Sequence, residues 1–327
     1  MRRFLFTLTP LAVMVAAALM ISAQAPQGKD GGKGGGKAGA KDGGKGGAKD
    51  GGKGGGKAAA APPAIVQIKP NLYEVTGLGG NTTVRVTNAG LLIVDTKNLG
   101  QANYDQLMTL IKTVSTQPPK FGVITHVHQD HSGNTGLLIA AGAEVYANEG
   151  EKAELTTYNP AQGKPAAPSK TYKKDTTIKL GGATAKLYHF GAAHTGGDTV
   201  VYFPDLKVVA GGDAIPNGMP NCDLPNGGSV VNWPKFVAEV LKLDFDTLIP
   251  GHGDVMTRAQ VVEYQKKWAT FASRAIAEVK KGTPKDQLLA AIKVDDIGWT
   301  TASYAAAPAA GQPSRLDLLY AELKKAK

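Results

Sequence analysis

Four side chains that can bind a transition metal fall within six residues of one another in Thr125-His126-Val127-His128-Gln129-Asp130-His131. Histidines at i and i+2 project from the end of a strand to the same side. After a turn, Asp130 and His131 can face the same cavity from the following loop. Neutral imidazoles combined with carboxylates suit zinc, iron or manganese, whereas magnesium and calcium sites are built from oxygen ligands. The chain holds six histidines, and three of them lie in this one motif.

Three further candidates sit in short glycine-rich contexts. His194 lies in Gly-Ala-Ala-His-Thr-Gly-Gly-Asp, Asp213 follows Val-Val-Ala-Gly-Gly, and His252 lies in Ile-Pro-Gly-His-Gly-Asp. Each falls at a strand-to-loop junction, where a rigid scaffold usually carries chemistry. His189 has no motif around it and reads as an ordinary histidine. Asp198 and Asp254 read as turn residues. Cys222, the only cysteine, cannot form a disulfide within the chain.

The elements that must position these residues are those of an α/β protein. Ile65 to Lys69 alternates like a strand. Thr82–Val86 and Leu91–Val94 flank Thr-Asn-Ala-Gly, a hairpin signal. Helical spacing runs over 101–114, and Val123-Ile124 starts a short buried strand leading to His126. A helix through Leu137–Ala140 and a strand over Glu144–Ala147 follow. Hairpins are expected over Thr177–Phe190 and Thr199–Ala210. Late helices begin near Trp233, Thr257 and Ser314, the second with the capping box Thr257-x-x-Gln260. Thr283-Pro284 opens another, with proline at the first helical position. Antiparallel hairpins followed by a mixed strand–helix run, twice over, predict two sheets with helices outside, a four-layer αββα sandwich.

Before residue 64 the chain reads differently. Residues 1–25 have the form of a secretory signal peptide: Arg2 and Arg3, an apolar stretch from Leu11 to Ile21, and the small-x-small site Ala23-Gln24-Ala25. An uncleaved membrane anchor is the alternative. Residues 26–63 hold a low-complexity tether with Lys at every fourth position from Lys29 to Lys57. Its glycines oppose a helix, and its scarce apolar side chains cannot repay ordering. It is expected to be a flexible cationic spacer, with weak contact to an anionic envelope as the functional alternative. Of the net charge of +10, Arg2 and Arg3 carry +2 and the stretch 28–57 carries +5. The catalytic domain expected over 64–327 is therefore nearly neutral, which argues against nucleic acid as a partner. Export to the periplasm or medium is the expected location.

The series His-x-His-x-Asp-His, Gly-x-x-His-Thr, Gly-Gly-Asp and Pro-Gly-His-Gly resembles the metallo-β-lactamase superfamily in order and spacing, over roughly residues 65 to 255. The resemblance implies the same αββα sandwich and two divalent metal ions, zinc above all. It implies that His126, His128 and His194 hold one ion, that Asp130, His131 and His252 hold the other, and that Asp213 bridges them. Asp95, in Leu-Ile-Val-Asp-Thr, resembles the family's buried aspartate, which supports ligands without binding metal. Water acidified between the ions would attack a carbonyl, with Asp130 orienting it. The substrate is then a small carbonyl compound: a lactone, an ester or a thioester of the acylglutathione kind. A β-lactam is the alternative. Many lactamases of the family place a lysine soon after the position of Asp213, but here no Lys or Arg precedes Lys235. From another class, a non-catalytic metal-binding envelope protein and a diiron redox protein remain as rivals.

Overall fold

The structure, a computed structural model, describes residues 62–306 and 313–326. The signal peptide expected over 1–25 and nearly all of the tether expected over 26–63 lie outside the described residues.

Two mixed sheets form the centre. The first runs in chain order through β1 (Ala64–Lys69), β2 (Leu72–Thr76), β3 (Thr82–Thr87), β4 (Gly90–Val94), β5 (Pro119–Val123), β6 (Glu144–Asn148) and β7 (Lys170–Tyr172). It is antiparallel up to β4 and parallel from β4 onward. The second contains β8 (Asp175–Leu180), β9 (Ala183–Tyr188), β10 (Val200–Phe203), β11 (Val208–Gly212), β12 (Thr247–Pro250) and β13 (Met256–Thr257). There β8 to β11 are antiparallel neighbours, β11 and β12 are parallel, and β13 closes the edge antiparallel to β12.

The helices α1 (Gln101–Lys112), α2 (Gln129–Ser132), α3 (Thr135–Ala140) and α4 (Glu149–Glu154) belong to the first half. α5 (Trp233–Val240), α6 (Arg258–Lys280), α7 (Lys285–Ala291), α8 (Ala302–Ala305) and α9 (Arg315–Lys325) belong to the second. Strand periodicity shows the layering directly, because alternate side chains leave a strand on opposite faces. In β4, Leu92 and Val94 pack between the sheets while Leu91 and Ile93 pack outward against Leu107 and Ile111 of α1. In β10, Val201 and Phe203 face the other sheet while Val200 and Tyr202 face α5 and α6. Strands buried on both faces read as unbroken apolar runs, and Leu91–Val94 and Val200–Phe203 do so. The αββα sandwich expected from the sequence is the observed fold.

The parallel pairs explain where the chemistry lies. Parallel neighbours end at the same edge of a sheet, where α/β proteins place their sites. Asp95 follows β4 and His126 lies just past β5; Asp213 follows β11 and His252 lies just past β12. Each sheet thus delivers one aspartate and one histidine to a common edge. Three local expectations are corrected. The strand expected to start at Val123-Ile124 begins at Pro119 and ends at Val123. Asp130 and His131 sit on the short helix α2 and not in a loop. Pro284 is the N-cap of α7, with an extended ψ of 146°, and not its first helical residue. The capping box at Thr257 and Gln260 is present.

Removing a ring from the layer between the sheets should leave a cavity. Phe203→Ala, at a fully buried position, is expected to cost about 3–5 kcal/mol. Val66→Ala, on the exposed edge strand, should stay within about 0.5 kcal/mol. Chemical denaturation of the two variants checks the contrast.

Candidate metal centre

The seven predicted residues converge on two adjoining sets, His126, His128, His194 and Asp213 in one and Asp130, His131 and His252 in the other, with candidate ligand atoms within 4.8 Å of one another in each. The Asp213 carboxylate lies between them. Its Oδ2 is 4.0 Å from His126 Nε2 and 3.6 Å from His194 Nε2. Its Oδ1 is 3.2 Å from His131 Nε2, and His252 Nε2 is 3.5 Å from Oδ2. In the second set His252 Nε2 stands 3.0 Å from Asp130 Oδ2 and 3.2 Å from His131 Nε2.

Four of the five imidazoles have one nitrogen committed, which aims the other inward. His126 Nδ1 meets Thr125 Oγ1 at 3.0 Å, and that hydroxyl in turn donates to Asp95 Oδ2. His131 Nδ1 donates to Asp95 Oδ2 at 2.7 Å. His194 Nδ1 donates to the carbonyl of Asn221 at 2.5 Å. His128 Nε2 donates to Asp223 Oδ2 at 2.6 Å, which leaves its Nδ1 facing His194 Nε2 at 2.9 Å. A carboxylate or carbonyl on the far nitrogen fixes the tautomer and orientation of a metal-binding histidine.

These residues fit a bound cation. His126 Nε2 and Asp213 Oδ1 are buried without a hydrogen-bond partner, an arrangement that costs free energy unless something satisfies them. The separations of 2.9 Å between His128 Nδ1 and His194 Nε2 and 3.2 Å between His131 Nε2 and His252 Nε2 are near the edge of a tetrahedron with metal–nitrogen bonds of about 2.0–2.1 Å. Burial opposes charge on the His131 ring, yet Asp213 and Asp95 hold its pKa well above the usual range. Hydrogen bonds that His252 donates to Asp130 and Asp213 push its pKa up to about 9.

The backbone is shaped to admit this crowd. A Cβ on Gly80 would lie 2.1 Å from His131 Cε1, and one on Gly251 would lie 2.0 Å from Asp213 Oδ1. Asp95 adopts a positive φ of 66°, uncommon outside glycine. That turn lets its Oδ1 accept from Thr125 N–H at 2.8 Å while Oδ2 reaches His131, as expected for a residue that supports ligands. Trp233, fully buried, donates its indole N–H to Ala214 O at 2.7 Å and pins the strand end that carries Asp213.

The remaining candidates lie outside the two sets. His189 Nδ1 bonds the carbonyl of Asp198. The Asp198 carboxylate accepts from Ala193 N, Thr195 N and Thr195 Oγ1, which closes the turn around His194. Asp254 offers its carbonyl to Asn217, and Cys222 is buried against Ala193 O. Sequence reasoning did not single out Asp223, Asn221 or Thr125 as orienting groups. Only Thr125 carried a signal, its position beside His126.

The segment from Asn221 to Val231 that orients His128 and His194 is itself held by α9. Glu322 accepts from Ser229 Oγ at 2.5 Å and from Val230 N and Val231 N, each at 3.2 Å. Arg315 donates to Asn221 Oδ1 at 2.8 Å. Glu322→Ala leaves these donors unanswered and should loosen the acceptors behind His128 and His194. Zinc affinity at the His126/His128/His194 set is then expected to fall about tenfold, the size of effect seen when groups behind metal ligands are lost. Competition against a chelating indicator measures it, and Glu322→Gln should fall less.

The comparisons with known proteins agree with this geometry. The sequence model of the metallo-beta-lactamase superfamily matches residues 75–252. A metallo-beta-lactamase type 2 of Elizabethkingia meningoseptica is 26% identical over 208 residues, 60% of this chain and 81% of the relative. A protein of the same description from Bacillus cereus is 28% identical over 212 residues, 60% of this chain and 78% of the relative. Among solved structures, a metallo-beta-lactamase from Pontibacter korlensis superposes with a TM-score of 0.57 at 21% identity, covering 64% of this chain and 99% of that one. A stereoselective inverting sec-alkylsulfatase from Pseudomonas sp. gives a TM-score of 0.61 at 18% identity over 80% of this chain and 50% of its own; at such identities the likeness is one of fold. With its motifs, its sandwich and its His/Asp cluster in agreement, the chain belongs to the metallo-β-lactamase superfamily, a family of generally hydrolytic metalloenzymes.

Proposed function

We propose that the protein is a binuclear metal-dependent hydrolase of small carbonyl compounds: lactones, esters or thioesters of the acylglutathione kind. The observation that carries this reading is the convergence of seven donors with Asp213 between the two sets. His126, His128 and His194 would hold one divalent ion, zinc by preference, and Asp130, His131 and His252 the other. When bound, such ions supply Lewis acidity and water acidified to near neutrality.

The chain's own residues supply the rest. Asp130 and His252, whose side chains are 30% and 46% exposed, form the open rim where a substrate must enter. Burial would raise the Asp130 pKa, but the hydrogen bond from His252 and the charge of His131 outweigh it and bring it to about 2. Asp130 is therefore a carboxylate throughout the neutral range, able to accept a hydrogen bond from the attacking water and to take its proton. The buried imidazoles, locked by Asp95, Asp223, Thr125 and Asn221, keep the geometry fixed while this happens. The signal-like segment over 1–25 supports action in the periplasm or outside the cell.

Lactam hydrolysis is the second reading. The relatives described as metallo-beta-lactamases favour it. The run Asp213-Ala-Ile-Pro-Asn-Gly, with no cation beside the site until Lys235, favours the other carbonyls.

The test is hydrolysis by the zinc-loaded protein of a lactone, an aryl ester, an acylglutathione and a chromogenic cephalosporin. Turnover of at least one of the first three is expected, and Asp130→Ala should lower kcat by about 10²–10⁴. Turnover of the cephalosporin alone would make it a lactamase. A protein that binds zinc and cleaves none of the four would be a metal-binding protein without this activity.

A further inference from the structure

Beside the metal cluster the fold leaves a groove of about 600 Å³, a volume that accommodates a small organic molecule. One wall is the loop that leaves Asp213, through Asn217 and Met219. The other is α6, through Tyr264 and Lys267, and Trp299 closes the end. The groove adjoins the cluster through its lining residue Asn217, whose backbone N–H donates to the carbonyl of His252 at 2.8 Å, and His252 is the most exposed of the seven candidate ligands.

Two features of the lining point to what it holds. Met219 is 45% exposed and, with Val66 on the edge strand β1, is one of two exposed large hydrophobic side chains among the described residues. An apolar side chain left open at the mouth of a groove beside a reactive centre marks a place for an apolar group. It faces a firm wall, since Trp299 is held edge-on by Trp268 and Tyr264 at ring-centroid separations of 5.1 and 6.1 Å. The second feature is charge. Lys267 is the one cation in the lining and makes no ion pair among the described residues, while the groove's carboxylate, Glu263, is already tied to Lys266 at 2.7 Å. An unpaired, half-buried lysine on a wall whose carboxylate is already engaged favours an anion. Met256, Tyr264, Lys267 and Trp299 all lie beyond the segment 75–252 that matches the family, so this wall comes from the C-terminal part of the chain.

We propose that the groove receives the acyl body of the substrate and that Lys267 binds a carboxylate at its far end. The preferred substrates are then amphipathic acyl compounds carrying a terminal carboxylate, an inference that rests on the hydrolase reading above. Met219 and Trp299 enclose the methylene chain, the scissile carbonyl lies at the cluster beside His252 and Asp130, and Lys267 sets the chain length and the charge preference.

The test compares two chromogenic substrates on the zinc-loaded full chain: para-nitrophenyl acetate and the mono-para-nitrophenyl ester of suberic acid, whose free carboxylate ends an eight-carbon chain. Lys267→Met is expected to raise the KM for the suberate ester about tenfold relative to that for the acetate, the worth of one charged hydrogen bond. Lys267→Arg should restore most of the preference. Lys280→Met removes the same charge from α6 outside the groove and should leave the ratio of the two KM values at that of the unmodified protein. A protein that cleaves both esters with a KM ratio unmoved by Lys267→Met overturns the groove assignment alone. A protein inert toward both esters but active on a lactone or an acylglutathione also overturns the groove assignment alone, and one inert toward all of these overturns the hydrolase reading and the assignment with it.

Discussion

In the centre of this protein the far nitrogens of four imidazoles are bound to oxygens, those of Thr125, Asp95, Asn221 and Asp223, and everything else about the site follows from that commitment. With one nitrogen held, His126, His131 and His194 turn the other toward the Asp213 carboxylate, and His128 turns its own toward His194, so that none swings away. The resulting crowd of donors would be costly to bury by itself: among the described residues His126 Nε2 is left without a hydrogen-bond partner, and Asp213 Oδ1 stands 3.2 Å from His131 Nε2. Divalent cations at the two sets would answer these atoms. The polar interior thus suits a positive charge between its carboxylates and imidazoles.

The sandwich is the means of holding that arrangement still. Two parallel strand pairs, β4 with β5 and β11 with β12, end at one edge and hand their following residues to a common point. Their apolar side chains pack both between the sheets and against the outer helices, so the strand ends cannot drift independently. Close approach is then a matter of removing atoms, as at Gly80 and Gly251, where any side chain would occupy the space of a ligand. The C-terminal helices take part as well: Glu322 of α9 ties down the segment that orients His128 and His194.

How much of this the sequence displays depends on distance along the chain. His126, His128, Asp130 and His131 stand within six residues, and His194, Asp213 and His252 are marked by glycines at strand ends, so all seven are legible. The sandwich is legible because β4 and β10 are unbroken apolar runs and the hairpins have clear turns. The groups that aim the ligands are not. Asp223 reaches His128 across 95 residues, Asn221 reaches His194 across 27, and Glu322 reaches Ser229 across 93. Such contacts exist only once the chain is folded, and no local spacing encodes them. The misplacement of Pro284 has a simpler cause: proline suits both the N-cap and the first turn, and only the extended ψ tells them apart.

The central claim is that this cluster holds two metal ions with Asp213 between them, and the most direct measurement is anomalous X-ray diffraction at the zinc edge from crystals of the zinc-loaded protein. The account predicts two peaks at near-equal occupancy, one among His126, His128 and His194 and the other among Asp130, His131 and His252, each within bonding distance of Asp213. A single peak, or zinc bound away from these residues, would contradict it.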